Sequence, residues 1–308
     1  LLHSLSKQII YNNTHHFTLS QKRFDLPKVL KLVNMVSVSV PSSSHPTICR
    51  VVEELQRLKT WELASTSTAG SINFGLSELE KLYASMESVL GLKSIQELLS
   101  RKSRFMDELL DATVKVIDVS DLLRSLLFRF EEKIQLLESA LRRRKGDSAM
   151  VNEYTVFRKN MKKEVKKLMA PRVNLAGEKR TQSASVSDES FAVVTQVLRE
   201  VDSICFCVFK SLLAFVSSSP PKSKQGKWNI VSKLGKTEMR PNRYTRGRIN
   251  EIERVDAALM EGNLKCEEVT DGLRDLETSI KILEINLGSI SRRLIQIRAS
   301  TLNIISQH

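Results

Sequence analysis

The residues best suited to do chemistry are the cations between positions 156 and 169. Six of the ten residues from 158 to 167 are Lys or Arg. On an α-helix they fall into two rows on one broad face, which makes that face a candidate contact for an acidic partner. The ordinary alternative is the solvated face of a bundle helix. One row is Arg158, Lys162 and Lys166, and the other is Lys159, Lys163 and Lys167.

The opposite face of this predicted helix is apolar. A basic amphipathic helix of this kind binds anionic membranes or the grooves of partner proteins. Because aromatic rings are scarce on the apolar side, the membrane interpretation is the weaker of the two. The apolar residues that can face away from the cations are Tyr154, Met161, Val165 and Leu168.

A second basic stretch covers residues 222–248. Its nine cations and one acid give a formal charge of +8, out of +13 for the whole chain. Cations with interspersed rings can follow a phosphate backbone and stack on bases, and such clusters also attract acidic lipid headgroups. No helix-turn-helix or zinc spacing accompanies them, so a basic connector between helices is the simpler interpretation and nucleic-acid binding is disfavoured. The candidate contacts here are Lys222, Lys224, Lys227 and Trp228.

No combination of residues that could catalyse a reaction is recognisable. None of the five histidines stands at a known spacing from a Cys, Ser or carboxylate partner. The chain has no glycine-rich phosphate loop. Its four cysteines show neither metal-ligand nor disulfide spacing, which favours buried thiols in a reducing compartment. We therefore expect a non-enzymatic protein without a cofactor.

Long helices must position these cations, and the clearest of them is at the C-terminal end. From Ile252 onward, fourteen of the sixteen a and d positions of a heptad repeat are apolar. Such a seam predicts one long helix with coiled-coil-like packing, within the chain or against a second copy. Gly262 with Asn263 is its weak point and a possible bend. The seam residues that we expect to pack are Leu273, Leu276, Ile280, Leu283, Leu287, Ile290, Leu294 and Ile297.

Further helices are predicted upstream. One follows Thr47, which would cap it, and another carries the apolar seam from Leu76 to Leu90. A capping box at Ser94 opens a helix that runs to about Arg144, with a kink or restart near Ser120. The apolar stretch at 203–219 is too short for a bilayer span and predicts a buried core helix.

Domain organisation follows from these patterns. Residues 1–44 are expected to be a disordered leader or a non-native extension, with the true start near Met35. Residues 1–24 lack acids, as transit peptides do, but organelle targeting is disfavoured because they contain little Arg. Residues 45–308 are expected to form one helical-bundle domain that includes a basic connector at 220–248.

Several longer motifs, taken together and in order, resemble those of a known family. They match the plant BYPASS-related proteins, the plant domain-of-unknown-function-241 class, over about residues 45–308. The resemblance implies an all-helical fold, no known catalytic residues and an association with root and shoot development. It supplies no active-site motif. The motifs include "SHPTICRVVEELQRLK" (44–59), "LSELEKLYASMESVLGL" (76–92), "FMDELLDATVKVIDVSDLLRSLL" (105–127), "VLREVDSICFCVFKSLLAFVS" (197–217) and "SRRLIQIRASTLNIIS" (291–306).

The sequence as a whole predicts an all-α protein, built as an elongated bundle of long antiparallel helices. The favoured function is a non-enzymatic interaction or scaffold protein in the cytoplasm, with membrane association left open, and the resemblance implies that it acts in plant development. The first alternative is a peripheral membrane protein that binds anionic lipid through residues 156–169 and 222–248. The second is nucleic-acid binding through the connector. The identity of the protein partner and the existence of self-association stay open.

Overall fold

The computed structural model of this chain describes residues 46–143, 148–169, 189–219, 249–261 and 266–306. This part of the chain is all-α, as predicted, and contains eight helices and no strand. They are α1 (Pro46–Ala64), α2 (Ala69–Leu90), α3 (Lys93–Ser100), α4 (Ser103–Arg142), α5 (Ser148–Met169), α6 (Glu189–Ser217), α7 (Glu251–Glu261) and α8 (Cys266–Ser306).

The last helix, α8, packs along α4 in the antiparallel sense. Arg274, near the start of α8, donates from Nε to Glu138 of α4 at 3.1 Å. Farther along α8, the carbonyl of Leu287 accepts a hydrogen bond from Ser120 Oγ, near the middle of α4, at 3.3 Å. The two long helices therefore run side by side over several turns, which is the geometry that an elongated bundle requires.

A second neighbour, α2, runs along α8 in the same direction. Asn286 of α8 donates to Asn73 near the start of α2. Two turns later, Arg293 Nε donates to Glu80 at 3.0 Å. α8 is thus held between α4 and α2, and its seam is at most 5% exposed at every position. The buried seam residues are Leu273, Leu276, Ile280, Leu283, Leu287, Ile290, Leu294 and Ile297.

The apolar helix α6 lies in the core, where its sequence predicted it. Val208, Phe209 and Phe215 are at most 2% exposed. Cys205 is also buried, and this burial raises the pKa of its thiol far above the ordinary value. No helix within the described ranges is both long enough and apolar enough to span a bilayer.

The predicted long C-terminal helix, for which a bend was left open, is two helices in the structure, because α7 and α8 fold back on each other. Val255 Cγ2 lies 3.6 Å from the place where a Cβ on Gly272 would stand. In one continuous helix these residues would be about 25 Å apart, at a rise of 1.5 Å per residue. The chain therefore reverses between the two helices. Gly262 and Asn263, the expected weak point, lie outside the described residues.

The predicted helix from Ser94 to about Arg144 is also interrupted. α3 ends at Ser100, and α4 begins at Ser103. Lys102 has left the helical region, with φ −126° and ψ 55°. α3 begins at Lys93 without a side-chain cap, so the Ser94 capping box is not formed. Ser120 does not restart the helix, because α4 continues through it.

Trp61 of α1 fixes how closely α1 and α2 approach each other. Its indole ring is 7% exposed, and its Nε1 donates to the Ser71 carbonyl at 2.8 Å. The ring lies over Gly75 of α2, where an added Cβ would stand 2.6 Å from Trp61 Cζ2. Glycine is therefore required at this position by a close helix approach.

We expect Gly75→Ala to lower the free energy of unfolding by about 1–3 kcal/mol, because a methyl group there overpacks the Trp61 ring. Gly70→Ala in the same helix is the matched control. The space around Gly70 is open, so that substitution should be neutral or stabilising by up to about 1 kcal/mol. Urea unfolding followed by circular dichroism measures both. Equal effects of the two substitutions would show that the ring does not press on Gly75.

Candidate cationic groove

The basic helix α5 is amphipathic as predicted, with its apolar side turned into the bundle. Phe157 packs beside Phe130 of α4, with ring centroids 6.0 Å apart. On the same helix, Glu164 accepts from Arg129 of α4 at 2.9 Å. Glu164 is therefore paired with Arg129 and does not neutralise the lysines of α5. The buried apolar residues are Tyr154, Met161, Val165 and Leu168, each at most 6% exposed.

Arg158 is the one member of the basic rows that the structure takes away from the surface. It is 3% exposed, and its guanidinium lies over the Phe130 ring at 4.9 Å. Nη1 donates to the Val216 carbonyl at 2.6 Å, and Nη2 donates to the Ser218 carbonyl at 2.9 Å. These carbonyls lie at and just after the C-terminal end of α6, where a helix has acceptors without intrahelical partners. Our expectation that Arg158 faces an outside partner is therefore corrected.

Asp256 of α7 is the carboxylate that completes this buried cluster. It is 4% exposed and accepts hydrogen bonds from three side chains. Arg158 Nε donates at 3.2 Å, Tyr154 Oη at 3.0 Å and Lys162 Nζ at 3.3 Å. Burial, and next the nearby Asp256 charge, raise the pKa of Tyr154 well above its ordinary value, so the phenol stays a donor. The cluster ties α7 to α5 and to the end of α6.

A groove of about 380 Å³ lies between α5 and α7, above this cluster. The described residues of its lining include five cations and one carboxylate, which is a formal excess of four positive charges. Met260 provides an apolar wall and is 69% exposed. Asp256 is already satisfied and does not cancel the exposed lysines. The lining residues are Tyr154, Thr155, Arg158, Lys159, Lys162, Lys163, Lys166, Asp256, Leu259 and Met260.

Other predicted contacts lie elsewhere. Lys167 is exposed on α5 but does not line the groove. Lys222, Lys224, Lys227 and Trp228 lie outside the described residues. The seam of α8 packs inside the bundle and takes no part in the groove.

The groove also contains residues that the sequence pattern did not indicate. Asp256, Leu259 and Met260 come from α7, which was expected to continue straight into the C-terminal seam. Asp256 directly follows Val255, a d position of the predicted heptads. An acidic residue at the edge of an apolar seam was the only sequence feature that could have drawn attention to Asp256. Nothing in the sequence predicted that it lies opposite Arg158.

Chemistry other than anion binding has little support in the described ranges. They contain no group of three or more His, Cys, Asp or Glu that could hold a metal ion. Burial raises the pKa of Cys207 to about 12, so its thiol stays protonated and is a poor nucleophile. The feature that the structure shows in the described lining of the groove is its excess of positive charge.

We expect Asp256→Ala to lower the free energy of unfolding by about 3 kcal/mol, because Arg158 would keep its buried charge without the carboxylate. Asp271→Ala is the matched control, since Asp271 pairs with Arg274 at 3.1 Å on the surface. Breaking that exposed pair should cost less than about 1 kcal/mol. Chemical denaturation compares the two variants. A cost for Asp256→Ala no larger than that of the control would contradict the buried cluster.

Comparison with known proteins identifies the family. Searches of curated proteins and of solved structures return no match to this chain. The model of the family described as Protein BPS1 matches residues 75–304, which is well over half of the chain. The resemblance inferred from the sequence motifs is confirmed, and the chain belongs to the BPS1 family of plant proteins.

Proposed function

We propose that this chain is a non-enzymatic interaction protein that binds an acidic partner in the groove between α5 and α7. The observation that carries the proposal is the excess of unpaired positive charge in that groove. Lys159, Lys163 and Lys166 are exposed, and within the described part of the chain none of them pairs with a carboxylate.

The electrostatics of the groove favour an anionic partner. The three exposed lysines follow each other on consecutive turns of one helix, so their charges repel one another. A like-charge pair at this spacing destabilises a helix by about 0.2–0.5 kcal/mol, and an anion placed between the charges relieves that repulsion. A cleft lined by one sign of charge also concentrates counter-ions and speeds the approach of an oppositely charged partner.

The non-enzymatic part of the proposal is supported by the described residues alone. Among the described residues, the one carboxylate that lines the groove is held by Arg158, Tyr154 and Lys162, and is not free to act as a base. The pKa values of the Cys205 and Cys207 thiols on α6 are raised, which argues against either of them acting as a nucleophile. All five histidines lie outside the described residues and contribute nothing to this support.

Membership of the BPS1 family suggests a role in plant development. Within that role we propose that the protein acts as a scaffold in root and shoot tissue, from the cytoplasm. The membrane alternative depends partly on residues 222–248, which lie outside the described part. Nucleic-acid binding through that stretch has no supporting observation in the described residues.

The proposal is tested by exchanging the charge of the groove. Lys159→Glu, Lys163→Glu and Lys166→Glu, combined in one variant, should remove most partners captured by proximity labelling in plant cells, because they replace attraction by repulsion. The control combines Arg104→Glu, Arg292→Glu and Arg298→Glu, which changes the net charge equally at exposed sites away from the groove. It should keep the wild-type set of neighbours.

The outcome is read as a difference between the two triple variants. Both are first compared with the wild-type chain by thermal unfolding, so that a loss of fold is recognised. An identical set of labelled neighbours for the groove variant and the wild type would contradict the proposed function.

A further inference from the structure

We infer that the acidic partner presents an amphipathic α-helix to the groove, with its carboxylates on the lysines of α5 and an apolar side chain against Met260. This inference rests on the proposed function and specifies the chemistry of its partner. Four features of the described residues support it: the lysine spacing, the apolar wall, the rigid floor and the burial of the apolar face of α5.

The spacing of the exposed lysines matches that of a second helix. Lys159, Lys163 and Lys166 stand at i, i+4 and i+7, so successive Cβ atoms are about 5–6 Å apart. Acidic residues at i, i+4 and i+7 of a helix have the same separations. A partner helix laid along α5 can therefore place one carboxylate near each ammonium group without bending.

The apolar wall of the groove indicates that a partner needs an apolar side chain as well as negative charge. Leu259 and Met260 are neighbours on α7 and both line the groove, and Met260 is 69% exposed. Met is flexible and polarisable, and is common on surfaces that receive different side chains. A partner helix that has an apolar stripe beside an acidic stripe can contact Met260 with the first and the lysines with the second.

The floor of the groove is already ordered. Arg158, Asp256 and Tyr154 are each at most 4% exposed and bonded to one another, so the relative position of α5 and α7 is set before any partner arrives. A preformed groove lowers the ordering cost of binding. The groove does not need to rearrange, so the partner segment is the component that orders on binding, as expected for a segment that folds into a helix.

A bilayer fits the same residues less well. Interfacial helices insert an apolar face rich in Trp, Phe or Leu into the membrane. The apolar face of α5 is instead buried in the bundle, as Met161 and Val165 show at 2% and 0% exposure. Tyr154, the one aromatic residue among the described residues of the lining, is 3% exposed and is not available for insertion or base stacking.

The test uses the full chain and fluorescein-labelled peptides about 20 residues long, which is enough for a helix to form. The first peptide carries Glu at i, i+4 and i+7 beside a stripe of Leu. The second has the same composition in scrambled order, so its charge is equal but its faces are mixed. Vesicles of phosphatidylcholine with and without phosphatidylserine provide a third probe. Fluorescence anisotropy gives the Kd of each peptide, and flotation gives vesicle binding.

We expect the amphipathic peptide to bind at least about ten times more tightly than the scrambled one. In the groove triple variant (Lys159, Lys163 and Lys166 to Glu) the amphipathic peptide should bind at least about ten times more weakly than to the wild-type chain, whereas the surface triple control should bind it as the wild type does. Met260→Ser, an exposed position where folding is little affected, should weaken the amphipathic peptide several-fold and leave the scrambled peptide unchanged.

Three results would overturn the inference in distinguishable ways. If both peptides bind with equal affinity and the groove triple variant loses that binding, the partner need not be an amphipathic helix, but the proposed binding of an acidic partner stands. Binding to phosphatidylserine vesicles alone, lost in the same variant, identifies a membrane surface instead. Failure of every probe, or binding that the groove triple variant does not change, removes both the inference and the proposed function.

Discussion

Burial of the aliphatic seam of α8 against α4 and α2 is the interaction on which the rest of the structure depends. Each fully buried Leu or Ile contributes roughly 1.5–3 kcal/mol relative to an exposed one, and eight of them lie along this seam. The seam holds α8, α4 and α2 in register. Since α7 packs back on the start of α8, the same interaction also determines where Asp256 stands.

The groove is a secondary consequence of that arrangement. Once α7 is placed, Asp256 meets Arg158, whose guanidinium also donates to the Val216 and Ser218 carbonyls at the end of α6. The buried pair is expensive to desolvate, and such pairs often contribute little net stability. Its evident structural effect is to fix α5, α6 and α7 together while leaving the neighbouring lysines on the outside. The floor of the groove is therefore ordered, and Lys159, Lys163 and Lys166 beside it are exposed.

Periodicity in the sequence predicted most of the helices and the seam, because apolar residues at helical spacing must find a core. It could not separate Arg158 from Lys159, since both belong to the same cationic run. Only the tertiary neighbours of each position decide which one is buried. The break after Ser100 was missed because neither Gly nor Pro marks it. The reversal before α8 was underestimated because the heptad pattern continues on both sides of it.

Residue types alone did not predict the groove either. Three of its ten lining residues come from α7, and Met260 looks like an ordinary residue of an amphipathic helix until the chain reverses. The lysine rows were visible in the sequence, whereas the apolar wall opposite them required the fold. The pairing of Asp256 with Arg158, 98 residues apart in the chain, likewise required the tertiary structure.

Hydrogen–deuterium exchange of the backbone amides of α8, read by mass spectrometry at two protein concentrations, tests the central claim most directly. If the seam is buried within one chain, amides from Leu273 to Ile297 should be among the slowest to exchange, and equally slow at both concentrations. Rapid exchange in the dilute sample, with protection appearing only as concentration rises, would show that the seam is covered by a second copy and would contradict the account.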